Sequence, residues 1–233
     1  MWCYNMAWVP LESNPEVMTK FLHKLGVPEQ WNMIDIYGLE PDLLAVVPRP
    51  VLAVILLYPE SVKTEVQNKE DEETKSKDNG KDRPDGVYHM KQIISNACGT
   101  VALIHSVANN MEEINLKEGF LKSFLDDSKD LSFAERGELL VNAQGIIDTH
   151  KESAQEGQTE APEEDTPVYY HFVAFVRKNG TLYELDGRKP APVDHGPTTR
   201  ETLLEDSVRV CKEYMARDPS EMRFTVVALA ASY

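Results

Sequence analysis

The chain has 233 residues, 42% hydrophobic and 27% charged, which is enough for one sizeable core and contains nothing that forces a second domain. A formal net charge of −15 argues against a nucleic-acid backbone as partner, since such binding needs Lys and Arg to displace counterions, and favours a basic protein instead. Cys3, Cys98 and Cys211 are an odd count without metal-ligand spacing, so neither a disulfide framework nor a structural zinc site is indicated; with no apolar run of membrane length and no secretory leader pattern, a soluble cytoplasmic or nuclear chain is expected.

Asn14-Pro15-Glu16 reads as an N-cap, a first-position proline and a first-turn acid, and Met18, Phe21, Leu22 and Leu25 give the apolar stripe of a helix that Gly26 ends. Met33–Tyr37 and Val51–Tyr58 predict strands; the second is almost wholly apolar and belongs at the centre of a sheet covered on both faces. Residues 66–86 are nearly all polar and predict a mobile surface insertion. Ala97–Asn109, Lys117–Leu125 and Phe133–Val141 predict helices, the last announced by Ser132 and Glu135 at capping-box spacing. Residues 148–167 form a second polar stretch. Tyr170–Val176 and Thr181–Leu185 predict a hairpin around Asn179-Gly180, and a helix over Thr199–Ala216 and a strand over Phe224–Ala231 close the chain.

A two-residue hairpin loop fixes the register: Lys178 pairs with Thr181, Val173 with Asp186 and His171 with Arg188. His171 and Asp186 are then diagonal neighbours on one face, about 7–8 Å apart at the backbone, within bridging reach of an imidazole and a carboxylate. Cys98 falls in the first turn of its predicted helix, where free N–H groups and aligned peptide dipoles favour thiolate over thiol. Gln92, six residues earlier, offers an amide donor for an oxygen that gains charge when a carbonyl is attacked. Cys211 instead recurs with Leu204, Val208 and Met215 at helical spacing and reads as core, while His23, His89, His105, His150 and His195 read as surface or satisfied core.

The run Gln92 to Thr100, with Tyr170-His171-Phe172 and Leu182 to Arg188, resembles the ubiquitin carboxyl-terminal hydrolase family of cysteine peptidases, and the small single-domain L-type members most. Trp8 to Glu16, Val47-Pro48-Arg49-Pro50, Glu156 to Thr159 and Glu201 to Asp206 are similar to its other landmarks, so the likeness covers nearly the whole chain. The resemblance implies an α/β fold, an α/β/α sandwich with a mainly antiparallel central sheet, a papain-like catalytic core and a knotted path, forming a single catalytic domain over residues 1–233. It implies Cys98 as nucleophile, His171 as base and acid, Asp186 as the residue that orients it, and Gln92 as oxyanion donor. Glu12, Glu16 and Asp35 match acids that pair with the arginine-bearing tail of ubiquitin.

Residues 148–167 match a loop that crosses above the active-site cleft, which implies small or unfolded adducts as substrates. A monomer without metal or organic cofactor is expected. Two alternatives stay open: a ubiquitin-binding or ubiquitin-stabilising protein with incidental turnover, and a hydrolase that prefers a related modifier such as NEDD8.

Overall fold

The computed structural model describes residues 7–60, 84–159 and 168–232. Among these a six-stranded sheet runs in the order β1-β6-β2-β3-β4-β5, all neighbours antiparallel. Its strands are β1 Trp31–Asp35, β2 Val51–Pro59, β3 Tyr170–Lys178, β4 Thr181–Leu185, β5 Val193–Pro197 and β6 Thr225–Ala231. The helices are α1 Pro15–Lys24, α2 Pro41–Leu44, α3 Cys98–Ala108, α4 Met111–Ile114, α5 Phe120–Ser128, α6 Phe133–Val141, α7 Gln144–Ala154 and α8 Leu203–Ala216.

The apolar run of β2 has the central place expected of it, between β3 and β6. Side-chain alternation there divides the core in two. Ala53 and Ile55, with Ala174, Val176, Val227 and Leu229, pack on the α3 side. Val54, Leu56 and Tyr58, with Val173, Phe175, Val226 and Ala228, pack on the α8 side. Helices therefore cover both faces, the expected α/β layering. Leu52 and Ala53 join the same side because the β2–β6 register slips between Val51 and Ala53, as a bulge does.

Two helix starts are fixed as read from sequence. Asn14 Oδ1 accepts from the Glu16 and Val17 N–H groups, and Ser132 and Glu135 form a complete capping box. Other boundaries differ. β1 starts at Trp31 rather than Met33, because Trp31 and Met33 share a buried face while Tyr37 is 87% exposed. α5 begins at Phe120, since Lys117 N–H donates to the Gly26 carbonyl and holds the preceding residues extended. α8 begins at Leu203 because Thr199 and Thr202 bond each other's backbone N–H groups in a turn.

Residues 148–154 correct the reading of 148–167 as one loop: they complete α7, whose buried positions Ile146, Thr149, His150, Ser153 and Ala154 follow helical spacing. Its buried face is partly polar, which hid it from a hydropathy pattern. The rest of the predicted crossover is described only over 155–159 and 168 onward, and the predicted insertion only over 84–86; residues 160–167 and 61–83 lie outside the described residues.

Candidate active site

Cys98 is the first residue of α3, and Ala97 before it supplies no side-chain acceptor, so the first-turn N–H groups keep their positive field for the sulfur. Three interactions fix this helix start. Asn96, at φ 63°, donates from Nδ2 to the Trp8 carbonyl at 3.0 Å, and Trp8 N–H donates to Ser95 at 2.9 Å. His150 Nε2–H donates to the Val9 carbonyl at 2.8 Å while its Nδ1 accepts from the Thr100 hydroxyl at 2.7 Å, one residue pair past the sulfur. This sets a neutral tautomer, and burial pushes its pKa down to about 4. Gly99 has no room for more: a Cβ there would stand 3.2 Å from Leu11 and 3.3 Å from the Phe172 ring.

The hairpin delivers the other two groups. Lys178–Thr181 pairing around Asn179-Gly180 is as counted, with Asn179 at φ 51° and Gly180 at φ 81°. The predicted pairs Val173–Asp186 and His171–Arg188 do not form, because the β3–β4 ladder ends at Ala174–Leu185 and His171 pairs with Tyr58 of β2. Asp186 leaves the ladder to make a turn: its Oδ1 accepts from Arg188 N–H at 2.8 Å and its carbonyl from Lys189 N–H at 3.1 Å. The face is preserved nonetheless. His171 Nε2–H donates to Asp186 Oδ1 at 2.8 Å, with both side chains buried.

That bond leaves Nδ1 as the ring nitrogen available to the Cys98 thiol, and the two side chains interact. Burial alone would lower the His171 pKa, but the Asp186 charge and hydrogen bond, with Cys98, raise it to about 10. Burial likewise works to raise the Cys98 thiol; the neighbouring His171, the Phe172 backbone and Arg188 outweigh it, and the pKa falls below the usual thiol value. The two shifts are opposed, each group favouring the charged form of the other.

Gln92 joins this group through its backbone, whose N–H donates to the Gly187 carbonyl at 2.8 Å. Its side-chain amide donates one N–H to the Ile94 carbonyl at 3.1 Å, which leaves the second N–H for another acceptor. Gly187 is required at this contact: a Cβ would lie 2.9 Å from Gln92 Cβ and 3.0 Å from Val101 Cγ1. The three acids have separate settings. Glu12 accepts from Thr159 N–H at 3.2 Å and its hydroxyl at 3.0 Å, Glu16 pairs with Lys20 at 3.1 Å, and Asp35 ends β1 with its carboxyl pushed up by burial.

Several residues beside the site were not singled out by sequence reasoning. His89 donates from Nε2 to the Asp186 carbonyl at 2.8 Å, and Arg188, ion-paired with Glu60, adds positive charge near Cys98. The signal for Arg188 and Lys189 was their adjacency to Asp186; for His89 there was none short of the fold.

A six-stranded antiparallel sheet between helices, with a thiol at a helix start influenced by an imidazole that is bonded to a carboxylate, is the frame of a cysteine hydrolase. Residues 8–216 match the family described as ubiquitin carboxyl-terminal hydrolase, family 1. The chain is 51% identical to a ubiquitin carboxyl-terminal hydrolase of Drosophila melanogaster over 97% of its length and 99% of the relative's. It is 42% identical to the human ubiquitin carboxyl-terminal hydrolase isozyme L1, over 96% and 98%. Its fold is similar to the Trichinella spiralis UCH37 catalytic domain bound to ubiquitin vinyl methyl ester, with a TM-score of 0.74 and 27% identity over 98% of this chain and 99% of that one. The chain belongs to the ubiquitin carboxyl-terminal hydrolase family.

Proposed function

We propose that this protein is a deubiquitinating thiol hydrolase that cleaves small or unfolded adducts from the C-terminal glycine of ubiquitin. The observation that carries the reading is the buried group of Cys98, His171 and Asp186, with its 2.8 Å imidazole–carboxylate bond and opposed thiol and imidazole pKa shifts. The Cys98 thiolate attacks the glycine carbonyl carbon, and the oxyanion is held by the Cys98 backbone N–H and the free N–H of Gln92. The His171 imidazolium gives its proton to the departing amine or thiol as the acyl bond breaks. A thioester remains. Neutral His171 then takes a proton from water as its oxygen attacks the thioester, releasing ubiquitin with a carboxylate; Asp186 keeps the ring in the needed tautomer throughout.

The thiolate supplies the nucleophile and the imidazolium the proton, so the reading has a single catalytic domain acting as a monomer without metal or organic cofactor. Glu12, Glu16 and Asp35 receive the basic ubiquitin tail by charge complementarity, and the cytoplasm is the proposed location. The restriction to small or unfolded leaving groups rests on the family resemblance. The test is release of a fluorophore from the ubiquitin C-terminus by wild type and Cys98→Ala, beside a NEDD8 fluorophore and a folded diubiquitin. Release from ubiquitin by wild type alone, with diubiquitin spared, is expected; tight ubiquitin binding without release would instead favour a binding protein.

A further inference from the structure

Behind the triad lies a second group of charges that the proposed chemistry does not use. Glu184, on β4 two residues before Asp186, is 1% exposed. Its Oε1 accepts from Lys189 Nζ at 2.7 Å and from the Tyr214 hydroxyl at 2.8 Å, and its Oε2 from His195 Nε2 at 2.8 Å. Four elements thus converge on one buried carboxylate: β4, the turn after Asp186, β5 and α8. Filling such a space with apolar side chains would hold the elements together as well or better, because burying charges is costly even when they are paired. Stability does not account for them.

Their position relative to the triad does. Strand alternation sends Glu184 to the α8 side, beside Phe175 and on the same side as Tyr58 and His171. Tyr214 packs its ring 4.9 Å from Tyr58, and Tyr58 meets the His171 imidazole edge-on at 5.8 Å. Lys189, mostly buried, closes the turn that Asp186 opens and acts on both carboxylates. The groups acting on or touching His171 and Asp186 are therefore Cys98 from α3, Tyr58 from β2 and Tyr214 from α8, with Glu184 two residues before Asp186 on the same side of β4. Arg188 and Lys189 face them from the turn, and His89 and His105 from beside it. Arg217 stacks on Tyr214 and opposes the charge of Lys189. Lys189 touches both the buried anion and the Asp186 turn.

We propose that Glu184 and Lys189 are positioning residues: as a buried charge pair they fix the turn after Asp186 and set the charge that reaches His171 and Cys98. This rests on the reading of Cys98 and His171 as nucleophile and base, and it deepens that reading by naming what tunes them. Neither residue touches the substrate. With Glu184 neutral, the ammonium of Lys189 acts on the triad unopposed, favouring thiolate and disfavouring imidazolium, so both limbs of the pH profile move down. Without the ammonium, the Glu184 charge reaches the triad and both limbs move up.

The experiment uses the full chain as Glu184→Gln, Lys189→Met and the double variant. Two readouts are taken against pH: iodoacetamide alkylation of Cys98, quantified on its peptide by mass spectrometry, and kcat/KM for release of a ubiquitin C-terminal fluorophore. Opposite shifts of about one pH unit in the single variants, the size expected of a unit charge nearby in a partly screened interior, support the proposal if the double variant returns to the wild-type profile with KM unchanged. Limbs that stay in place, or move the same way in both single variants while kcat falls, overturn it. If Glu184→Gln does not fold, Lys189→Met decides by the same upward shift or its absence. Alkylation needs no ubiquitin, so shifted limbs without hydrolysis by wild type would reject the hydrolase reading and leave the charge coupling standing.

Discussion

Cys98 and Cys211 are the same residue in two settings, 6% and 0% exposed, yet their thiols are shifted in opposite directions. Burial raises both. Cys98 stands at the first position of α3 with the imidazole of His171, the Phe172 backbone and Arg188 around it. Cys211 sits in the third turn of α8, where burial first and the Glu184 charge second push its thiol far up. The difference teaches that burial does not make a cysteine inert or reactive; the sign of the charge buried with it does.

The comparison breaks most visibly on substitution. Cys98→Ala is expected to lower kcat for ubiquitin-fluorophore hydrolysis about 10⁴-fold or more, while Cys211→Ala leaves the rate and lowers stability by about 1 kcal/mol, read by urea denaturation. A comparable rate loss in Cys211→Ala would end the contrast. Gln92→Ala sharpens it: a fall of about 10²- to 10³-fold in kcat with little change in KM is expected from loss of one oxyanion donor, whereas an effect on KM alone would remove Gln92 from that role.

A more gradual effect concerns pH and stability. His150, which steadies the start of α3 from behind, has its folded pKa depressed to about 4, below its unfolded value. The unfolded chain then binds the extra proton first, so this group's share of stability is full above about pH 6.5 and falls towards pH 4, by at most about 3 kcal/mol. His105, also pushed down by burial, adds in the same direction. Melting temperature against pH should decline over this window, and His150→Gln should flatten the decline; an unchanged slope would show that the ring is not held neutral.

What could be read from the chain beforehand divides along the same line. The hairpin count from Asn179-Gly180 brought His171 and Asp186 to one face, although the ladder stops three pairs short of the counted His171–Arg188 pair, because Asp186 caps its own turn. Helix starts written in local caps, at Asn14 and Ser132, were legible for the same reason: their partners lie within three residues. α7 was not, since its buried face mixes Thr149, His150 and Ser153 with Ile146 and Ala154, and His150 finds its partners far along the chain, at the Val9 carbonyl and the Thr100 hydroxyl. Nothing along the chain links Glu184 and Lys189 with His195; the fold brings Lys189 and His195 within 2.8 Å of the Glu184 carboxylate. β5 escaped because Asp194, Gly196 and Pro197 do not alternate as a strand should.

The turn at Asn179-Gly180 also acts as a ruler for the chemistry. Side chains in a ribbon change sides at every step, so one residue added to that loop would present Leu185 or Gly187 to the imidazole in place of the carboxylate. Length at a solvent-facing bend, far along the chain from the sulfur, is therefore under the same constraint as the reactive groups themselves.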